Sequence, residues 1–235
     1  MNEEAAIRAA IVEAMIRLDA SGLNQGTSGN VSVRFGEGLL VTPSGIPCEA
    51  LRPEDIVRMG MDGTALGRLA PSSEWRFHRD ILAARPEIGA VVHAHPPHAT
   101  AFAICRRDIP AAHYMIAAAG GPTIRCARYA TFGTQALSDA ALEALQDRQA
   151  CLLANHGMIT AGPSLARALW LAVEVETLCR QYALALGIGE PVLLPEDEIA
   201  RVVQAFRTYG PREAEPGGPA AGIPVSDLAR GEASS

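Results

Sequence analysis

Residues 90–95 read Ala-Val-Val-His-Ala-His, an apolar run that ends in two histidines, His93 and His95, one residue apart. The apolar run predicts a buried strand. In an extended strand, residues i and i+2 point to the same face, so both imidazoles aim at one point. Imidazole is a preferred ligand of zinc and of the later divalent transition metals. The alternative is that both are simply polar residues at a strand end, and this pair alone does not decide between the two.

A third histidine, His156, follows a second apolar run at residues 151–154. This run also predicts a buried strand. Strand ends of one sheet lie near one another, so His156 can join the pair at the end of the first strand. Three protein ligands with one open position are typical of catalytic zinc sites. The three histidines together therefore favour a metal site.

Size and composition are those of one globular domain without a nucleic-acid or membrane partner. The chain has 235 residues, of which 49% are hydrophobic and 20% charged, and its net charge is −6. There is no basic patch for nucleic acid, no apolar stretch of ~20 residues for a membrane span, and no signal-peptide pattern at residues 1–20. The five cysteines are scattered, which indicates reduced thiols. We expect a cytoplasmic protein.

Hairpin signals and helical patterns are mixed along the chain, which favours an α+β fold with a largely antiparallel sheet and helices on its faces. We predict a helix over residues 73–84 capped by Ser72 or Ser73, and another over residues 138–147 capped by Ser138. A last helix should begin near residue 196 and end near Tyr209. Residues 211–235 are rich in Pro, Gly, Ala and Ser, and we expect them to form a flexible tail.

Three short segments of small polar residues, at 26–30, 43–45 and 71–74, are candidates for binding an anion. Glycine lets a ligand approach the backbone, and adjacent N–H groups or a helix N-terminus can hold phosphate. Simple turns and a helix cap would explain each segment equally well. The nucleotide-binding glycine motifs are absent, so a phosphate here would belong to a small substrate.

Several long motifs resemble the L-fuculose-phosphate aldolase group of class II, zinc-dependent aldolases. The similarity runs in order through residues 5–210. The motifs are residues 22–34 (GLNQGTSGNVSVR), 42–47 (TPSGIP), 71–78 (PSSEWRFH), 91–95 (VVHAH), 109–121 (IPAAHYMIAAAGG), 129–134 (YATFGT), 155–157 (NHG) and 206–210 (FRTYG). The resemblance implies one aldolase domain over residues 1–210, a three-layer α/β/α sandwich around a central, mainly antiparallel sheet. It also implies a homotetramer with active sites between subunits.

The resemblance also implies a role for individual residues. One Zn²⁺ per subunit, or another divalent transition metal, would be bound by His93, His95 and His156. Glu74 would be its fourth ligand, would leave the metal when substrate binds, and would then act as general acid and base. The substrate phosphate would be held by Gly29, Asn30, Ser44, Gly45, Ser72 and Ser73. Tyr114 and Tyr209 would reach the substrate across a subunit interface, with Phe132 lining the same region.

The chemistry of the residues agrees with this resemblance. Cleaving a carbon–carbon bond beside a carbonyl builds up negative charge, which a metal ion can stabilise without a Schiff base. The basic residues of this chain are arginines, which disfavours a lysine-based aldolase. The remaining histidines have structural interpretations. We expect His78, one turn after Glu74, to pack or orient its helix, His98 to lie at most beside a metal ligand, and His113 to point elsewhere.

The activity expected is reversible cleavage of a ketose 1-phosphate to dihydroxyacetone phosphate and an aldehyde. L-Fuculose 1-phosphate is the first candidate, and 5-deoxyribulose or 5-methylthioribulose 1-phosphate is the second. Within the same fold, a pentulose-phosphate 4-epimerase and a methylthioribulose-1-phosphate dehydratase are alternatives. An alternative of another class is a non-catalytic interaction module that resembles the adducin head domain, although the three histidines and Glu74 argue against it.

Overall fold

A computed structural model of the chain describes residues 2–206. In this range eight strands form one sheet, accompanied by six α-helices and three short 3-10 helices. The strands are Asn30–Phe35 (β1), Gly38–Val41 (β2), Val57–Gly60 (β3), Ala65–Leu66 (β4), Ala90–Ala94 (β5), Arg125–Ala127 (β6), Ala150–Leu153 (β7) and Gly157–Gly162 (β8). The helices are Glu3–Ala20 (α1), Trp75–Ala84 (α2), Pro97–Ile104 (α3), Gln135–Ala144 (α4), Leu165–Ile188 (α5) and Glu196–Phe206 (α6).

The sheet has the order β4-β3-β2-β1-β5-β8-β7-β6. Among the described residues, the pairing of β6 with β7 is parallel and every other strand pairing is antiparallel. Short turns join β1 to β2 and β7 to β8, as antiparallel neighbours allow. The two strands that carry the histidine motifs, β5 and β8, lie side by side in the middle of the sheet.

Alternating side chains along the strands divide the core into two apolar layers. Val92 of β5 packs in the layer formed with α1, α3 and α5, whereas Val91 packs in the layer formed with α2 and α4. His93 lies on the Val91 face, where its ring is 5.4 Å from that of Phe77 in α2. The predicted α/β/α arrangement around a mainly antiparallel sheet is confirmed.

Two predicted helix starts were wrong. Helix α2 begins at Trp75, and the Ser72 hydroxyl accepts a hydrogen bond from the Glu74 N–H, two residues along, in the turn before the helix. Helix α4 begins earlier than predicted, with Thr134 as its N-cap. Ser138 is instead buried inside this helix, where its hydroxyl donates to Asp80 Oδ2 at 2.6 Å. In both cases a serine that could cap a helix is used by a different contact.

The predicted tail at residues 211–235 and the end of the last helix near Tyr209 lie outside the described residues. Among residues 2–206, no helix is both long and apolar enough to cross a membrane.

One arginine joins β1 to the end of α2. The Arg34 guanidinium donates to the carbonyl oxygens of Leu82, Arg85 and Ile88, at 2.6–3.2 Å. These carbonyls belong to the last turn of α2 and to the loop that leads into β5. A positive charge at a helix C-terminus also interacts favourably with the helix dipole. Arg34 therefore fixes the connection that sets where β5 begins.

We expect Arg34→Met to lower the free energy of unfolding by about 1.5–3 kcal/mol, the usual cost of losing hydrogen bonds to a charged group. Arg180→Met, at an exposed position of α5, is the matched control and should change stability little. Urea denaturation of the two variants measures the difference. Equal stabilities would show that Arg34 does not hold this connection.

Candidate metal centre and active site

The register of three strands brings the three histidines together. β5 pairs with β8 so that His93 lies opposite Ile159, and β7 pairs with β8 so that Leu153 lies opposite Gly157. The three residues between Leu153 and Gly157 form a tight turn that carries His156. The three imidazole rings lie in mutual contact, with centroids 4.7–4.9 Å apart. The structure thus places the predicted histidines in one cluster, and their ligand atoms lie within 4.8 Å of one another.

The residues on either side of His156 are suited to this tight turn. Asn155 has a left-handed backbone (φ +55°), which asparagine tolerates better than most residues. A Cβ on Gly157 would lie 2.5 Å from the carbonyl oxygen of Ala94 and 2.6 Å from the ring of His95. Glycine is therefore needed at this position, because any side chain would displace the His95 ring.

Hydrogen bonding orients the buried His93 ring. Its Nδ1–H donates to the carbonyl oxygen of Met158 at 2.9 Å, which turns Nε2 toward the other histidines. When a histidine binds a metal through one ring nitrogen, a hydrogen bond donated by the other ring N–H fixes both the tautomer and the orientation of the ring. The Nε2 atoms of His93 and His95 are 2.9 Å apart.

Glu74 completes the cluster from the turn before α2. Its carboxylate is 7% exposed, with Oε2 at 3.2 Å from His93 Nε2 and Oε1 at 3.3 Å from His156 Nε2. Tetrahedral zinc with bonds of ~2.0 Å places neighbouring ligand atoms roughly 3.3 Å apart, so these spacings suit a metal ion. Among the described residues Oε1 has no hydrogen-bond partner. A buried carboxylate oxygen without a partner is costly unless a cation is bound to it.

The protonation states also suit metal binding. Burial, reinforced by the neighbouring His93, lowers the pKa of His95 to about 3 and that of His156 to about 4. Both imidazoles are therefore neutral at neutral pH, the form that binds metals. Burial opposes the charge on Glu74, but the facing His93 and His156 and the Asn30 amide outweigh it and lower the pKa of Glu74. Glu74 is thus a carboxylate.

Two of the candidate anion-binding segments lie side by side next to Glu74. The Ser72 N–H donates to the carbonyl oxygen of Thr42, and the Ser44 N–H donates to that of Ala70. Ser73 is exposed and lines the pocket described below, whereas the Ser72 side chain is buried.

The third segment, which contains Gly29 and Asn30, leads into β1. Gly29 has φ +77° and packs against the Asn24 side chain so closely that a Cβ would overlap it. Asn24 Oδ1 accepts a hydrogen bond from the N–H of His95, which ties this segment to the metal centre. Sequence reasoning assigned no role to Asn24, although it lies in the quoted motif at residues 22–34. The Asn30 amide donates to Glu74 Oε2 at 3.0 Å.

A pocket of about 300 Å³ opens over Glu74, His95 and His156. It is lined by Ser73, Glu74, His95, Tyr129, Ala130, Phe132, Asn155 and His156. Sequence reasoning did not single out Tyr129, Ala130 and Asn155, although all three fall within the motifs quoted. Phe132 is 64% exposed. Tyr114 is 50% exposed and does not line this pocket within the single chain, while Tyr209 lies outside the described residues.

The other histidines are not part of the cluster. His98 Nδ1 is 2.7 Å from Glu176 of α5, so His98 contacts that carboxylate and no predicted metal ligand. His113 Nδ1 accepts a hydrogen bond from the N–H of Met115. His78 is fully buried behind Glu74.

Comparison with known proteins identifies relatives over nearly the whole chain. Residues 9–183 match the model of the family described as "Class II Aldolase and Adducin N-terminal domain". A 5-methylthioribulose-1-phosphate/5-deoxyribulose-1-phosphate aldolase of Rhodospirillum rubrum is 54% identical over 215 residues, which are 92% of this chain and 97% of that protein. The L-fuculose phosphate aldolase of Escherichia coli K12 is 50% identical over 206 residues, 87% of this chain and 96% of that one. A solved structure of an L-fuculose 1-phosphate aldolase superposes with a TM-score of 0.84 at 38% identity, covering 86% of this chain and 96% of that chain.

We expect His93→Ala to abolish stoichiometric binding of a divalent transition metal, because it removes a buried and pre-oriented ligand. The matched control is His98→Ala, which removes an imidazole outside the cluster and should leave metal binding unchanged. Elemental analysis after loading with Zn²⁺ and gel filtration measures the metal content, expected at about one ion per chain in the unsubstituted protein. Full loading of His93→Ala would contradict the assignment of the site.

Proposed function

The chain belongs to the class II aldolase and adducin N-terminal domain family, and we propose that it is a metal-dependent lyase acting on a ketose 1-phosphate. It would cleave this substrate reversibly to dihydroxyacetone phosphate and an aldehyde. The observation that carries the proposal is the cluster of three imidazoles beside a buried carboxylate, one of whose oxygens has no hydrogen-bond partner among the described residues, at the base of a pocket lined by His95, His156 and Glu74. The relatives named for 5-methylthioribulose 1-phosphate, 5-deoxyribulose 1-phosphate and L-fuculose phosphate provide the substrates to test.

We propose that the metal is one Zn²⁺ per subunit, held by His93, His95, His156 and Glu74. Three imidazoles and one carboxylate are a donor set that zinc accepts, and other divalent transition metals are the alternative. When bound, the ion would supply positive charge at the substrate oxygens on which negative charge develops as the carbon–carbon bond breaks. The chain contains no lysine, so a Schiff base on a lysine of this protein is excluded.

Glu74 is the proposed general acid and base. In the direction of condensation its carboxylate would remove a proton from the carbon of dihydroxyacetone phosphate that forms the new bond. In cleavage it would return that proton to the same carbon. The residue suits this role because it is ionised, lies against the pocket and has an oxygen without a hydrogen bond among the described residues.

The segments beside Glu74 are the proposed phosphate site. Gly29, Asn30, Ser44, Gly45, Ser72 and Ser73 would contribute to it. Backbone N–H groups at glycine and small hydroxyl groups can bind a dianion without a lysine or arginine if they converge on it. The hydrogen bonds that hold segments 42–45 and 70–73 side by side support this proposal.

The proposed enzyme is a cytoplasmic homotetramer with active sites at its subunit interfaces. Two exposed aromatic side chains, Phe132 at the pocket and the half-exposed Tyr114 outside it, support the proposed contacts between subunits. In the assembly, Tyr114 and Tyr209 of one subunit would reach the substrate bound by another. A tyrosine there would give a proton to the aldehyde oxygen in condensation and take the proton back from the substrate hydroxyl in cleavage. The aldolase domain would end at residue 210, and residues 211–235 would be a separate tail.

We expect the purified, zinc-loaded protein to release dihydroxyacetone phosphate from at least one of the three ketose 1-phosphates, in a coupled assay with glycerol-3-phosphate dehydrogenase.

Because all three substrates share the phosphate, Ser72→Ala/Ser73→Ala should mainly raise KM by removing binding common to ground and transition states. The corresponding unphosphorylated ketose should be a poor substrate, nearly insensitive to the double substitution. Equal losses on both substrates would show that these serines do not bind the phosphate.

The same assay separates the alternatives. An epimerase would convert a pentulose phosphate without releasing dihydroxyacetone phosphate, and a dehydratase would release water from methylthioribulose 1-phosphate. A non-catalytic interaction module would leave every substrate unchanged.

We expect Glu74→Gln to lower kcat by about 10²–10⁴-fold, the usual contribution of a positioned acid or base. The amide is nearly the same size as the carboxylate but cannot move the proton. At saturating Zn²⁺ the variant should still load with metal, because the three imidazoles remain. Normal turnover of the metal-loaded variant would limit Glu74 to a structural role.

A further inference from the structure

Behind Glu74 lies a chain of buried hydrogen bonds that the proposed chemistry does not use. Ser32 Oγ is 2.8 Å from His78 Nδ1, and His78 Nε2 is 2.6 Å from Asn30 Oδ1. The Asn30 amide nitrogen is 3.0 Å from Glu74 Oε2. Ser32 and His78 are fully buried, and Asn30 is 6% exposed. The chain therefore runs from the interior of the sheet to the carboxylate at the metal centre.

The atoms that Asn30 presents set the direction of each hydrogen bond. Its Nδ2, which only donates, faces Glu74 Oε2, and its Oδ1, which only accepts, faces His78 Nε2. Because that oxygen only accepts, His78 carries its proton on Nε2. Burial lowers the pKa of His78 to about 3, so its other nitrogen is unprotonated and accepts from the Ser32 hydroxyl. All three bonds thus donate in the same direction, toward Glu74.

This series of hydrogen bonds connects two elements next to the site, β1 and α2. Ser32 and Asn30 belong to β1, and Asn30 lies opposite His93 in the sheet. His78 is in α2, and Glu74 is the N-cap residue of that helix, four residues earlier. His78 bridges from α2 back to β1 and reaches Asn30 from the side opposite Glu74.

Loss of the His78 donor would leave the Asn30 carbonyl oxygen buried without a partner. The amide could then rotate and turn its oxygen toward Glu74, where two acceptors repel each other. Among the described residues, Asn30 is the side chain outside the histidine cluster that hydrogen bonds to this carboxylate. By holding the Asn30 amide in one orientation, His78 therefore also holds the Glu74 carboxylate in one orientation.

We propose that His78 is a positioning residue that orients the Asn30 amide and, through it, fixes the Glu74 carboxylate toward His93 and His156. The inference rests on the proposed function only in that Glu74 is taken as a metal ligand. It assigns to His78 more than the packing role expected from the sequence. It also gives the two ring nitrogens different functions, because only the Nε2–H donates to Asn30 and so acts on Glu74.

Two substitutions of His78 test whether the Nε2–H is the group that acts on Glu74. Glutamine can place an amide N–H near the position of Nε2 and keep the donor to Asn30, whereas asparagine is too short to do so. Affinity for Co²⁺, followed by its visible absorption in the absence of substrate, is the primary measurement. We expect His78→Asn to weaken Co²⁺ binding by about 10–100-fold, the usual effect of removing an outer partner of a metal ligand. His78→Gln should stay within about threefold of the unsubstituted protein.

The same two substitutions in a Glu74→Ala background test whether His78 acts through Glu74. If it does, His78→Asn should change Co²⁺ affinity by less than about threefold there, because the group that it positions is gone. An equal loss in both backgrounds, or equal behaviour of the asparagine and glutamine variants, would overturn the proposal. Should His78→Asn fail to fold, His78→Leu replaces it, since leucine is closer in volume to histidine and also lacks the donor.

Kinetics supply a second readout that simple packing would not produce. On the metal-loaded enzyme, His78→Asn should lower kcat and leave KM for the ketose 1-phosphate nearly unchanged. His78→Gln should have nearly the kcat of the unsubstituted protein. Failure of the unsubstituted protein to bind Co²⁺ would overturn both the proposed function and this inference. Normal Co²⁺ binding and cleavage without coupling between His78 and Glu74 would overturn this inference alone.

Discussion

The antiparallel pairing of β5 with β8 is the constraint on which the site depends. Both strands lie in the middle of the sheet and are buried on both faces, so a change of register by one residue would turn every side chain to the opposite layer. The register sets His93 opposite Ile159 and leaves room for a three-residue turn that carries His156. The apolar residues before the histidines therefore do more than fill the core, because their packing fixes the strand register and with it the positions of the imidazoles.

Burial determines the electrostatics at this point of the sheet. An isolated carboxylate at the depth of Glu74 would be strongly disfavoured. His93 and His156 on one side and the Asn30 amide on the other lower the pKa of Glu74, and burial lowers the pKa values of His95 and His156 at the same time. The arrangement has more acceptors than donors at its centre, including the unpartnered Oε1 of Glu74. Such a surplus of acceptors is what a cation can satisfy, and it connects the packing of the sheet to the proposed metal chemistry.

Sequence predicted the parts of the site that depend on local periodicity. The i, i+2 spacing of His93 and His95 required only that residues 90–94 form a strand, and the apolar run before His156 predicted a second one. The predictions were weaker where a polar side chain had several possible partners. Ser138 could cap a helix, but tertiary packing pairs it with Asp80. Asn24 and the Asn30 amide take their roles from residues distant in sequence, so no local pattern could identify them. The spacing of Glu74 and His78 by four residues did indicate a shared helix face, but not the partner between them.

The position of Asn30 has a consequence for how binding and chemistry are connected. Its backbone follows Gly29 in a segment proposed to hold the phosphate, while its side chain reaches the proposed acid and base. A phosphate that orders this segment would also restrict the Asn30 amide, and the amide in turn restricts Glu74. Binding energy from the end of the substrate that does not react would then contribute to placing the proton-transfer group, a use of remote binding that raises kcat as well as affinity. The buried His78 limits how far the amide can move in this process, because its ring is held by Ser32 on one side and by contact with Phe77 on another. One amide thus joins a segment that must adapt to a ligand to the carboxylate proposed to move the proton, and the rigid support behind that amide is what makes the connection effective.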